Sequence, residues 1–323
     1  MIPLRIVFAG SGEFAVPTLQ ALVNAGHEIV KVVTQLDRPA GRGRAMTPTP
    51  TAQSAESLLL PVIRTDDINA LIEATPRTDT PFPSADVMIV IAFGQKIADS
   101  VINRPRLGSI NLHASRLPRY RGAAPINWAI LGGEKITGNS VIRLAQKMDA
   151  GAILAQSEVA IGDLETAGEL HDRLALDGAP LVLGVLESLA AGTAVEMEQD
   201  DAQATVARKL SRESARIDWS LDAQAIARQV RGMYPWPGCR VELLEGDKVL
   251  DVLTLVRARS AAPHESRVAP GTVVEGASLF GVEAGDGAIV EVVEVQPAGK
   301  RAMPIEAYRR GHRVDPGMKL RSI

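Results

Sequence analysis

The chain has 323 residues, 46% of them hydrophobic and 23% charged, with a formal net charge of −3. This is ordinary globular composition without the charge bias of disorder, and at about 150 residues per domain the length points to two cores. The single cysteine, Cys239, excludes an internal disulfide and a multi-thiolate zinc site, and fits a reducing cytoplasm; the five histidines lack metal-motif spacing, so no metal is expected.

In chain order, Leu4 to Ala9 reads as a buried strand, Phe14 to Ala25 as a helix and Ile29 to Thr34 as a second strand. Further strands are expected at Val62 to Arg64, Asp86 to Phe93, Ser109 to Leu112, Ser140 to Leu144 and Ile153 to Ala160. Apolar strands alternating with helices imply a Rossmann-like α/β domain with a mostly parallel sheet, whose ligands sit beyond the strands' C-terminal ends. Thr75 to Pro83, rich in proline and threonine, reads as a loop insertion. Glu165 to Ala191 reads as a long helix or helix pair stopped by Gly192, so the first domain is expected to cover residues 1–192. Residues 193–208 read as a linker. Residues 209–323 open with an amphipathic segment, Leu221 to Arg231, and continue as short strands broken by glycine turns, a small OB-like β-barrel pattern. No basic leader is visible, and the apolar run near Val87 to Phe93 is too short to cross a bilayer, so no membrane partner is expected.

Gly10-Ser11-Gly12-Glu13-Phe14-Ala15 satisfies the dinucleotide fingerprint, which makes a nicotinamide oxidoreductase a rival reading. A tight turn with close helix packing needs the same small residues. The fingerprint also wants an acid closing the second strand, and here Asp37 falls inside Arg38-Pro39-Ala40-Gly41-Arg42-Gly43-Arg44.

Charge is unevenly spread. Between Ser100 and Gly133 lie five arginines and no acid, and from Lys300 to Ile323 seven Lys/Arg face only Glu306 and Asp315. Such patches can hold a polyanion locally on an acidic protein. The densest polar motif is Asn111-Leu112-His113, whose polar side chains share one strand face, followed by Ser115-Arg116-Leu117-Pro118-Arg119-Tyr120-Arg121-Gly122. A second segment, Asp149-Ala150-Gly151, places an acid before a glycine turn. An amide donor, an imidazole and a carboxylate at neighbouring strand ends are what acyl transfer to an amine requires.

These motifs resemble the folate-dependent formyltransferase family from end to end. Val7-Phe8-Ala9-Gly10, the Asn111-His113 segment with its arginine loop, Asp149-Ala150-Gly151, Arg216-Ile217-Asp218-Trp219, Pro235-Trp236-Pro237 and Gln296-Pro297-Ala298-Gly299-Lys300 all carry the likeness. The chain departs from it at Ser11-Gly12, where Thr-Pro is usual, at Arg116, where Leu is usual, and at Asn139, where an aliphatic residue is usual. The resemblance implies catalysis by Asn111, His113 and Asp149, with 10-formyltetrahydrofolate as formyl donor. It implies a folate wall from Phe93, Gly94, Gln95, Lys96, Ser115, Leu117 and Pro118. The Arg38-to-Gly43 loop and Gln296-to-Lys300 are similar to members whose amine is carried on initiator methionyl-tRNA; contacts to that RNA are expected from Arg38, Arg42, Arg44, Lys209, Lys300, Arg301 and Arg309. A cytoplasmic monomer is expected. The alternatives are a sister enzyme acting on a small amine, such as a sugar nucleotide or glycinamide ribonucleotide, and a tRNA-binding module without catalysis.

Overall fold

The computed structural model describes residues 2–40, 43, 45–73, 84–263, 267–274 and 280–323. Gly41, Arg42, Arg44, His264 and the expected 75–83 loop lie outside the described residues. The chain forms two compact units, the first from residues 1–122, 137–159 and 171–206, the second from 123–136, 160–170 and 207–323.

The first unit is built on a seven-stranded sheet: β1 (Arg5–Gly10), β2 (Glu28–Thr34), β3 (Val62–Arg64), β4 (Val87–Ile91), β5 (Ser109–His113), β6 (Ser140–Arg143) and β7 (Ile153–Gln156). The spatial order is β7-β6-β5-β4-β1-β2-β3. The five strands from β3 to β5 are parallel, whereas β6 runs antiparallel to β5 and β7 antiparallel to β6. All five residues of β4 are buried. Helix α1 (Val16–Asn24) starts with proline in its first turn, and α2 (Pro50–Ser57) is capped by Thr49, whose hydroxyl accepts from the Ala52 amide.

The second unit contains α3 (Pro125–Leu131), the start of α4 (Ala167–Ala191) and α5 (Ala223–Met233). Thr166 and Glu169 form a reciprocal capping box at the start of α4, each side chain bonding the other's backbone N–H. One continuous helix then runs through Pro180 to Gly192, which takes φ +68° as a left-handed stop. By length and apolar composition α4 is the one helix among the described residues able to cross a bilayer. Leu174, Val182 and Leu186 on it are buried, and a side chain added at Gly178 would run into Leu112 of β5, so this stretch is a core helix against the sheet. Asn139, where the family usually has an aliphatic residue, donates through Nδ2 to Leu174 O and Asp177 Oδ2, both at 2.9 Å, tying β6 to this helix.

Antiparallel strands follow in the second unit: β8 (Cys239–Glu245), β9 (Lys248–Ala261), β10 (Val273–Val274), β11 (Gly281–Glu283), β12 (Ile289–Pro297) and β13 (Lys319–Ser322), with a two-residue strand, Met303–Pro304, paired onto β12. They are ordered β10-β11-β12-β9-β8-β13, and a bridge between Thr272 and Lys319 joins the two ends, closing the barrel. The β8–β9 hairpin has a two-residue turn that puts Gly246 at φ +59°, open to glycine without strain. Val241, Leu253, Leu255, Phe280, Val290 and Val292 fill the interior, and Ile226, Val230 and Met233 of α5 join the same core. Cys239 is fully buried, and burial pushes its thiol up to about 12, which keeps it protonated and unreactive.

Candidate active site

Strand β5 lies between β4 and β6, with Asn111 opposite Val90 on one side and Ile142 on the other. Alternation along the strand buries Ile110 and Leu112 and turns Asn111 and His113 to the other face. Asn111 is half-buried, and its side-chain amide makes no hydrogen bond among the described residues. A half-buried, unbonded NH2 group is a donor held ready for a ligand. His113 is 7% exposed and gripped on both edges: Nε2 lies 2.9 Å from Tyr120 O, and Nδ1 lies 3.6 Å from Asp149 Oδ1. A carbonyl oxygen only accepts, so Nε2 carries the proton of the neutral ring and Nδ1 is left facing the carboxylate.

Asp149 reaches this position by an unexpected route. Because β6 is antiparallel to β5, its first residue, Ser140, pairs with His113, and its last, Arg143, pairs with Ile110. The segment after β6 therefore doubles back to bring the carboxylate to His113, where the sequence pattern placed all three groups at neighbouring strand ends. The return turn is tight: a Cβ at Gly151 would sit 1.9 Å from Arg143 O, and Asp149 itself takes φ +52°. Tyr120 (φ +62°) and Ala92 (φ +47°) are likewise in the left-handed region, so three of the four non-glycine residues of this kind among the described residues surround β5. Asp149 Oδ2 accepts from the Gly122 amide at 2.8 Å. One residue that the sequence pattern does not single out completes the arrangement. Gln199, in the segment read as a linker, donates through Nε2 to Asp149 O and Gly151 O, both at 2.8 Å, and accepts at Oε1 from Arg121. A glutamine in a non-periodic stretch gives no sequence signal of such a bond.

The expected folate residues divide into two kinds. The Phe93 side chain is core, packed with Val7, Val33, Met88 and Val101, and its carbonyl is taken by Gln35 Nε2 at 2.7 Å. The Gln95 side chain is also committed, accepting from Ile68 N and donating to Thr65 O. Ser115 is fully buried with its hydroxyl on Arg119 O, and Leu117 packs with Ile142 and Ile153. Pro118 is half-buried, and Gly94 and Lys96 are exposed. What the first segment offers a ligand is main chain: the N–H groups of Phe93 to Lys96 bond nothing among the described residues, nor do the backbone groups of Ala145, Gln146 and Met148 after β6. Two unpaired backbone runs, one after each neighbour of β5, suit a flat heterocycle with alternating donors and acceptors.

The glycine turn at the end of β1 is a poor nucleotide seat. Glu13 lies in the first turn after it, where an anionic pyrophosphate would be repelled. Thr34, bonded to Thr49, closes β2, and Asp37 is engaged by Arg64 Nε at 2.8 Å. Ser11, at the departure from the family pattern, uses its hydroxyl to accept from Gln35 N and Thr34 Oγ1. Arg116, the other departure, points outward to an ion pair with Glu158 at 2.6 Å.

Of the basic residues expected to meet RNA, Arg42 and Arg44 lie outside the described residues. Arg38 is exposed and donates to Gln35 Oε1. Lys209, Lys300 and Arg301 are exposed, and Arg309 is half-buried at the end of a short helix, Ile305–Arg309. Two other cations of the C-terminal patch are already neutralised: Arg313 pairs with Glu245 and Asp315, and Arg321 with Glu242. Arg310 and Lys319, like Lys209, Lys300 and Arg301, make no ion pair among the described residues. No cluster of three His, Cys, Asp or Glu able to hold a metal ion occurs among the described residues.

An unbonded side-chain amide beside an imidazole that faces a carboxylate, on a mostly parallel sheet followed by a closed barrel, fits a group-transfer enzyme of the acyl class. Residues 4–186 match the formyl transferase family and residues 209–313 its C-terminal domain, and the chain belongs to that family. Among curated relatives it is 41% identical over 317 residues to the methionyl-tRNA formyltransferase of Acidobacterium capsulatum, covering 98% of this chain and 99% of the relative. It is also 41% identical over 314 residues to the methionyl-tRNA formyltransferase of Moorella thermoacetica, covering 97% and 98%. Among solved structures, the Helicobacter canadensis N-formyltransferase in complex with folinic acid and dTDP-3-aminofucose aligns at TM-score 0.63 and 16% identity, over 92% of this chain and all of that one. HypX from Aquifex aeolicus in complex with tetrahydrofolic acid aligns at TM-score 0.60 and 19% identity, over 98% of this chain and 51% of that one. These two show a shared fold.

Proposed function

We infer that this chain transfers the formyl group of 10-formyltetrahydrofolate to the amino group of methionyl-tRNA, giving formylmethionyl-tRNA for translation initiation in the cytoplasm. The observation that carries this reading is 41% identity along 98% of the chain to a relative of that activity, spanning both units. The second unit alone would not carry it, because a sugar-directed neighbour aligns over 92% of this chain at 16% identity. A nicotinamide enzyme would have no use for the Asn111, His113 and Asp149 set, and Asp37 is not free to hold a ribose.

In the mechanism that fits the geometry, the amine attacks the formyl carbon and the carbonyl electrons move onto oxygen. The unbonded Asn111 amide donates to that oxyanion; one such donor contributes roughly 3 kcal/mol. His113 takes the proton released by the amine at Nδ1, while Nε2–H stays on Tyr120 O and Asp149 Oδ1 stabilises the resulting charge from 3.6 Å. When the oxyanion collapses and the carbon–nitrogen bond to the folate breaks, His113 returns the proton to the departing folate nitrogen. The unbonded N–H groups of residues 93–96 and the unbonded main chain of Ala145, Gln146 and Met148 would hold the pterin, with Ser115, Leu117 and Pro118 shaping the loop beside it. The groups that touch the reacting atoms thus lie within residues 1–192, while the barrel of residues 209–323, with Lys209, Lys300, Arg301 and Arg309, meets RNA phosphates together with Arg38, Arg42 and Arg44.

The test is a panel of amine acceptors offered with 10-formyltetrahydrofolate: charged initiator tRNA, an amino-sugar nucleotide and glycinamide ribonucleotide. The reading requires kcat/KM for the charged tRNA to exceed the others by orders of magnitude. A preference for either small amine overturns it.

A further inference from the structure

We infer that Gln199 is a positioning residue for Asp149, so that the segment after α4 is part of the catalytic apparatus rather than a tether. This rests on the formyl-transfer reading above. One side-chain amide holds the Asp149 turn at two carbonyls. Its Nε2 donates to the carbonyls of Asp149 and Gly151, each at 2.8 Å, fixing the chain as it leaves Asp149, whose φ is +52°. Its Oε1 accepts from Arg121 Nε at 3.0 Å and Nη2 at 2.7 Å.

The bonds form a closed ring. Arg121 precedes Gly122, and the Gly122 amide is the donor that holds Asp149 Oδ2 at 2.8 Å. The main chain of Asp149 and its carboxylate are therefore both referenced to the same glutamine, one directly and one through Arg121. The ring is stiff at each corner. Arg121 is 8% exposed, and its Nη1 pairs with Asp201 Oδ1 at 2.8 Å; Asp201 also pairs with Lys147, two residues before Asp149. Gln199 itself is pinned on its N-terminal side by Met197, which exchanges both backbone hydrogen bonds with Ile153, and on its C-terminal side by Thr205 O, which accepts from Arg121 N.

The consequence is geometric. Asp149 Oδ1 stands 3.6 Å from His113 Nδ1, and the left-handed backbone that aims it is one a non-glycine residue leaves readily without such restraint. Loss of the Gln199 donors frees the turn to swing the carboxylate away, and misplacement of about 1 Å costs on the order of 100-fold in rate.

Two variants in the full-length protein separate aiming Asp149 from merely bracing Arg121. Gln199→Ala removes every bond, whereas Gln199→Glu keeps an anionic acceptor for Arg121 but has no N–H for the two carbonyls. Both are expected to lower kcat by about 10- to 100-fold with KM for the formyl donor changed less than about threefold. In an Asp149→Ala background, Gln199→Ala is expected to add no further loss, because the group it aims is gone. The assignment is overturned if Gln199→Glu keeps wild-type kcat, if the loss falls on KM alone, or if Gln199→Ala costs the same factor with and without the Asp149 carboxylate. A wild-type protein that formylates nothing would instead sink the formyl-transfer reading.

Discussion

Replacing Asp149 by asparagine preserves the shape of its turn and removes its charge. The amide oxygen can keep the Gly122 N–H that Oδ2 now accepts at 2.8 Å, and the Gln199 bonds are to backbone carbonyls, so the fold has no reason to change. What disappears is the anion 3.6 Å from His113 Nδ1. Two unit charges about 4 Å apart at an effective dielectric near 20 attract by about 4 kcal/mol, which is roughly a 1,000-fold factor at 1.4 kcal/mol per decade. The Asp149 side chain is 16% exposed, so water screens part of this. The expected loss in kcat is therefore about 100- to 1,000-fold, with KM for charged tRNA within about threefold and an unchanged thermal midpoint. The assay is initial-rate formylation of charged initiator tRNA at saturating donor. A variant that keeps kcat within about tenfold of wild type would refute the proposal that Asp149 stabilises a proton on His113.

Asn111→Ala, which deletes an amide with no other partner, is expected to lower kcat by about 100-fold with little change in stability, read by the same assay and a urea melt. Arg42→Ala is expected to raise KM for charged tRNA while folate binding, followed by fluorescence, stays intact; equal loss of folate affinity would put that loop in the donor pocket. Substituting Lys300, Arg301, Arg310 or Lys319 is expected to weaken tRNA binding and to flatten its dependence on log salt by roughly one unit for each phosphate no longer neutralised, whereas Arg313→Ala and Arg321→Ala, whose charges are already paired, should leave the slope unchanged. Glu169 is held at about 2, chiefly by Arg257 and further by the Thr166 cap. Its folded value lies below the unfolded one, so its contribution is fully present above about pH 4.5 and fades as pH falls toward 2. Allowing for its half-exposed side chain, wild type should lose about 1 kcal/mol more than Glu169→Gln over that window in urea titrations.

The parallel half of the sheet was readable chiefly because β1 and β4 are buried almost throughout and so appear as apolar runs, with β2 and β5 recognisable from shorter apolar stretches beside them. The directions of β6 and β7 were not, since a four-residue strand looks the same either way round. That is why Asp149 was expected at a strand end instead of on a segment that folds back from one. That Asn111 and His113 share one face of β5 was legible from their two-residue spacing, and the stop at Gly192 from its conformational freedom. The membership of α3 in the second unit was not legible: Asn127 bonds Gly232 O and Trp128 bonds Arg208 O, partners about a hundred residues away. Gln199 escaped for a different reason. A positioning bond made by a lone polar side chain in a non-periodic segment leaves no pattern in composition or spacing. The C-terminal charge patch was overread at Arg313 and Arg321, because Glu245 and Glu242 of β8 neutralise them only once the barrel closes.

The most direct measurement follows a labelled formyl group from 10-formyltetrahydrofolate in the presence of charged initiator tRNA, with wild type, Asn111→Ala and His113→Ala run side by side. The account predicts that wild type places the label on the methionine amino group, recovered as formylmethionine after mild deacylation, and that both variants do so at least about 100-fold more slowly. Label transferred at the wild-type rate by either variant, or no label on methionine from wild type, would contradict it.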